Sequence, residues 1–244
     1  MNLYKAELQK LKRSKLWLPL LLLPLLAISY GAINYTFNKE ILTREWISLW
    51  TQVFLFYGAF FYPFIIGLIA ALVWHNEHKK NGLRLILSSA YTFKQIITSK
   101  LLVIFSLLTG LQIYFLILYY LVGSFMHFKT QAPFDLIAWL GLVTLLSLVQ
   151  VALQSFLSLR IKNFSVPVLL ALVYGLTSFM ACAQNKLPEL PYLLGSAKLS
   201  LAMNNEFPNI QFNLIEWGKL FGWASVLTII LVTLQINYLK KLTH

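Results

Sequence analysis

Residues 74–100, WHNEHKKNGLRLILSSAYTFKQIITSK, separate two long apolar runs, TQVFLFYGAFFYPFIIGLIAALVW (51–74) and LLVIFSLLTGLQIYFLILYYLVG (101–123). Each run is long enough to cross the roughly 30 Å of bilayer hydrocarbon as a helix rising about 1.5 Å per residue. The segment between them is too long and too patterned for a plain connection, which usually takes a few residues. Read this way, it joins two membrane spans, and the rest of the chain follows from that.

Working outward, four further apolar runs of spanning length lie at 16–36, 136–159, 164–184 and 217–238. Pro19, Pro24 and Pro63 fall inside spans, where neighbouring helices can satisfy the carbonyls that proline leaves free. A composition of 59% hydrophobic and 11% charged residues is far from the soluble balance. The expected fold is an all-α polytopic membrane protein with six transmembrane helices, built as a single domain over 1–244. The one cysteine, Cys182, sits in an apolar run, so neither a disulfide within the chain nor a cysteine metal cluster is available.

The net charge of +12 invites a nucleic-acid reading, and its distribution decides the matter. With the N-terminus on one side, segments 1–15, 75–100, 160–163 and 239–244 hold fourteen of the twenty Lys and Arg and only Glu7 and Glu77 of the acids. The opposite segments balance to zero. That asymmetry is the positive-inside pattern, so both termini are expected in the cytoplasm and no nucleic-acid partner is implied. Tryptophan agrees: Trp17 and Trp74 fall at inner span ends, Trp46, Trp50, Trp139 and Trp217 at outer ones, as an aromatic belt would place them.

Residues 1–15 set Tyr4, Leu8 and Leu11 on one helical stripe and Lys5, Gln9, Lys12 and Arg13 on the other side. This predicts a basic amphipathic helix lying at the interface, its stripe turned to the acyl chains. The run that follows is long for a signal-peptide core and five more spans come after it, so it is expected to stay as the first span. The last outer segment, 185–216, carries LLGSAKLSLAM between prolines. So many apolar residues would be costly in water, and short helices re-entering the membrane before span six are expected.

No charged residue sits near the middle of a span, which argues against a proton- or sodium-coupled carrier. No GxxxxGK[ST] loop occurs, so any ATP would be held by another polypeptide and no cofactor is expected on this chain. The one metal-like constellation is His75-Asn76-Glu77-His78, whose histidines stand at i and i+3, whereas HExxH needs i and i+4.

Within 74–100, Leu83, Ile86, Leu87 and Ala90 recur as one face of a short helix, Ser88–Tyr91 interrupts it, and Thr92-Phe93-Lys94-Gln95 has the form of a capping box that starts the third span. The expected shape is a stiff elbow, able either to lie on anionic lipid or to seat in a partner's groove.

The stretch E-x-x-K-L-K-R-S (Glu7, Lys10, Leu11, Lys12, Arg13, Ser14) and the inner loop E-x4-G-x-R…K (Glu77, Gly82, Arg84, Lys100) resemble the permease subunits of type-2 ABC exporters, most of all those of lantibiotic-immunity transporters. Many members have a proline in the turn of this loop, where this chain has Ala90. The resemblance implies a connecting helix at 1–15, a coupling helix near 82–91, and an ATPase-docking set of Glu77, Gly82, Arg84, Leu87, Tyr91, Lys94 and Lys100. It also implies ATP-binding cassette ATPase partners, a second permease faced by spans two and five, contact with membrane lipid, and a bacterial cytoplasmic membrane. The aromatic run 54–64 and the stretch 164–184 then become candidate path-lining surfaces, with packing and lipid contact as the alternative, and no substrate path is assigned. A membrane-embedded metalloenzyme using 75–78 and a non-transporting scaffold stay open as rivals.

Overall fold

The computed structural model describes residues 3–12, 14–79, 82–184 and 186–243. Arg13 of the N-terminal motif, Lys80, His244 and the outer-segment boundary Asn185 lie outside them. Every regular element is helical: α1 (Leu3–Leu11), α2 (Trp17–Phe37), α3 (Glu45–Phe56), a π-helical turn (Tyr57–Phe61), α4 (Tyr62–His78), α5 (Gly82–Leu87), α6 (Phe93–Phe125), α7 (Asp135–Leu146), α8 (Leu148–Arg160), α9 (Ser165–Gln184), α10 (Leu190–Leu193), α11 (Gly195–Asn205) and α12 (Leu214–Lys241). The α3–π–α4 and α7–α8 pairs each continue as one rod. Six helices are therefore long and apolar enough to cross a membrane among the described residues, matching the six runs in the sequence.

The third span begins earlier than its apolar run. Thr92 accepts from the Gln95 amide and Gln95 reaches back to the Thr92 amide, so the capping box starts α6 two turns before Leu101. The helix that results has 33 residues, about 50 Å at the usual rise, and its first turns project past the apolar zone. A second capping box, Asn213 with Glu216, starts α12 at the other end of the bundle.

Packing follows membrane logic, in which small residues let helices approach and neutral polar groups join them. Rod α3–α4 is the hub and packs on α2, α8 and α9. Gly175 sits where a Cβ would come within 2.6 Å of Pro63, and Gly67 lies as close to Ala171, so α9 seats directly on α4. Tyr57 donates to Gln112 at 2.8 Å, and Tyr62 bonds Ser147 at 2.9 Å, at the break between α7 and α8. Lower down, Trp74 donates to Ser155, which donates to Gln235 on α12.

Three expectations change. Trp46, Trp50 and Trp74 are buried in the bundle and do not form a belt, because their rings fill gaps between helices: Trp50 stacks on Phe54 and meets Phe115 and Tyr119 of α6 edge-on, and Trp74 packs among α6, α8 and α12. The stripe of α1 faces protein instead of acyl chains, with Leu11 buried and Tyr4 donating to Ser106 of α6. In the 54–64 run, Phe54, Tyr57 and Tyr62 are core, leaving Leu55, Phe56 and Phe60 exposed. Helices α10 and α11 do occupy the expected apolar stretch, with Leu199 and Met203 buried where α11 packs on α7, α9 and α3.

Both chain ends meet at one end of the bundle. Leu239 of α12 packs with Trp74, Ile97 and Leu159, and α1 lies against α4 and the first turns of α6. This is the end that carries the lysine excess, here called the basic end.

Candidate functional site

Four charged side chains at the basic end close a ring. Glu7 and Lys10 stand three apart on α1 and so share a face, Glu77 lies on the last turn of α4, and Lys100 lies on the second turn of α6. Lys10 contacts Glu7 and Glu77, and Lys100 contacts the same two carboxylates, all four at 2.7 Å. Signs alternate around the ring, so it is neutral overall. Lys100 is 0% exposed, Glu7 and Glu77 are 4%, and Lys10 at 38% closes the open side. The Trp74 ring lies 4.9 Å from the Lys100 ammonium and adds a cation–π contact. Burial alone would lower the Lys10 pKa, but hydrogen bonds to Glu7 and then Glu77 outweigh it and hold it above the usual lysine value.

Such a ring is weak evidence for net stability, since desolvating four charges offsets their attraction. Its consequence is positional. Withdrawing α1 would leave Glu77 and Lys100 on one another alone and expose Glu7, so α1 is held to the basic-end turns of spans two and three at once.

Beside the ring, α5 forms the expected elbow. Gly82 donates its amide to Lys79 O at 2.9 Å, and a Cβ there would stand 3.0 Å from Glu77 O, so a larger residue must push this turn of α5 slightly off α4. Leu83 and Leu87 pack toward Trp74 and Ile97, while Ser88 and Ser89 hydroxyls bond back to Leu85 O and Ile86 O and end the helix. Ala90, expected on the packed face, lies past that end and is exposed. Between α1, α4 and α5 runs an open cavity of about 780 Å³, lined among others by Leu3, Lys10, Glu77, Leu85, Ile86 and Tyr91.

The seven residues expected to meet an ATPase therefore separate. Arg84, Tyr91 and Lys94 are exposed on the elbow and the start of α6, and Gly82 and Leu87 are half-buried. Glu77 and Lys100 are enclosed, with their charges met by Lys10 and Glu7 of α1. Glu7 and Lys10, which the sequence reading kept only in a motif, complete the ring. A signal for them existed: Glu7 falls on the stripe of Tyr4, Leu8 and Leu11, an acid on an apolar face. Leu85, 69% exposed at the elbow's tip, was not singled out.

The histidines engage elsewhere. A His78 ring nitrogen lies 2.9 Å from Ser158 O, and the His75 ring rests 5.4 Å from Phe164. Among the described residues no three of His, Cys, Asp or Glu gather closely enough to hold a metal ion.

Residues 3–178 match the family described as ABC-2 family transporter protein, a stretch that runs from α1 through most of α9. No curated protein matches the chain. The match takes in the whole charge ring, the elbow and the first five spans, and with six spanning helices and no phosphate loop it places the chain in the ABC-2 family as a multi-pass transmembrane transport subunit.

Proposed function

We propose that the chain is the permease half of an ATP-driven exporter whose ATPase seats on the basic end, against the elbow 82–94 and the cavity beside α1. The observation that carries this reading is the charge ring under that cavity. A force applied to the elbow or to α1 reaches spans two and three together, because Glu7, Lys10, Glu77 and Lys100 tie the three helix ends into one body. Arg84, Tyr91 and Lys94 face the partner, Leu85 enters its groove as an apolar anchor, and Glu77, Gly82, Leu87 and Lys100 shape the seat from beneath. Arg and Tyr are enriched among docking hot spots, and Leu85 adds apolar area beside Arg84.

In this reading the basic end is cytoplasmic, in keeping with the lysine excess, and the membrane is a bacterial plasma membrane. Two permeases pair over two ATPases. The cargo is an amphipathic peptide or lipid-like compound, with self-protection against a lantibiotic as the role that the sequence resemblance favours. The exposed faces of α9 and of Leu55, Phe56 and Phe60 supply apolar surface for such a cargo.

The test is co-purification of the ATPase subunit with a tagged permease. Leu85→Glu is expected to cut the bound ATPase at least tenfold, about 1.4 kcal/mol, while membrane insertion and thermal midpoint stay at wild-type values. Gly82→Val, which must push α5 off Glu77, is expected to do the same. Undiminished association in both variants would overturn the docking assignment.

A further inference from the structure

At the end opposite the ring, α9, α10, α11 and the segment leading to α12 enclose a cavity of about 340 Å³. α11 presents Lys198, Leu201, Ala202 and Asn205 to it from one helix face, and Cys182 and Ala183 of α9 add apolar wall. The Lys198 ammonium rests over the Tyr192 ring at 4.6 Å and the Phe212 ring at 5.7 Å. It is half-buried, and no carboxylate of the described residues lies within ion-pair distance of it. This is not for want of acids nearby. Glu189 is taken by Lys219 at 2.6 Å, Glu216 caps α12 and accepts from Tyr192, and Glu206 lines the same cavity without reaching Lys198.

A half-buried ammonium that borders a cavity and has only ring faces on its flanks lacks the counter-charge or hydrogen-bonding oxygens that a partly desolvated charge needs. Aromatic faces orient it but offer no oxygen. We infer that this cavity binds the singly charged anionic group of an amphiphile, its oxygens on Lys198 and its first methylenes along Cys182, Leu201 and Ala202. Glu206 on the rim disfavours a multiply charged group, and the apolar wall disfavours a free inorganic anion. The phosphodiester of a phospholipid with no headgroup cation beside it and the carboxylate of an amphipathic cargo share this chemistry. The site needs no ATPase, so its failure would leave the docking assignment standing.

The experiment uses the full chain in neutral detergent, with bound ligand counted by native mass spectrometry. The probes are dioctanoyl phosphatidylglycerol, dodecanoate, dioctanoyl phosphatidylcholine as the zwitterionic control, and inorganic phosphate. The expected result is one phosphatidylglycerol or one dodecanoate held roughly tenfold more tightly than phosphatidylcholine, as one charge-assisted contact would give. Which of the two binds identifies the source. Lys198→Gln should abolish the preference, while Lys198→Arg and Lys219→Gln should keep it with the thermal midpoint unchanged. Equal retention of all lipids, competition by inorganic phosphate alone, or equal loss in Lys219→Gln would each overturn the site, the last by showing a diffuse basic surface.

Discussion

The two ends of the bundle treat buried lysine in opposite ways. At the basic end Lys100 is wholly enclosed and meets two carboxylates, each of which meets a second lysine. At the other end Lys198 is half-buried and, among the described residues, rests over ring faces with no carboxylate in ion-pair reach, while the ion pair of Lys219 with Glu189 is largely exposed. The first arrangement is closed on itself and can do nothing but fix helices relative to one another. The second is open and has capacity left for a ligand. Charge at a membrane edge is thus structural where its valences are filled and available where they are not.

Removing each lysine separates the two cases most strongly. Lys100→Met leaves two buried carboxylates with one half-exposed cation between them, and should cost roughly 3–5 kcal/mol, seen as a large fall in the thermal midpoint or loss of folded protein. Lys198→Met keeps the contact with Tyr192 and Phe212 and should cost under about 1 kcal/mol. Similar costs at both positions would break the contrast.

A device common to both ends gives a calibration. Thr92→Ala and Asn213→Ala each remove a helix cap with its reciprocal partner, and each should cost about 1 kcal/mol. Faster amide exchange should be confined to the first turn of α6 or of α12. A much larger cost for Thr92→Ala would mean that the start of α6 is also carrying the ring.

The smallest effect is in pH. Lys10 has a folded-state pKa above its ordinary 10.5, so its contribution is complete below 10.5 and is lost only as pH rises through the higher folded value. The midpoint difference between wild type and Lys10→Gln should stay constant from neutral pH up to about that point and shrink beyond it.

Much of this architecture was legible in the chain. Six apolar runs became six spanning helices, and the Thr92–Gln95 pattern named the start of α6 because capping depends on residues three apart. The elbow was legible for the same reason, up to Leu87. Failures arose wherever a contact joins distant positions. Glu7 and Lys100 are 93 residues apart, and only the packing of α1 on α6 brings them to 2.7 Å. Periodicity found the stripe of Tyr4, Leu8 and Leu11 but could not say whether lipid or protein covers it. Sequence position put Trp46, Trp50 and Trp74 near span ends, yet depth along a helix does not tell which way a ring points. The elbow's tip, Leu85, went unmarked because a lone exposed leucine is unremarkable in sequence.

The central claim is that the charge ring holds α1 to the ends of spans two and three. Amide hydrogen exchange across α1, compared between wild type and Glu7→Gln in the full chain, tests it most directly. The account predicts that α1 amides exchange at least about tenfold faster in the variant, while those of α8 and α12 keep their wild-type rates. Unchanged exchange in α1 would contradict it.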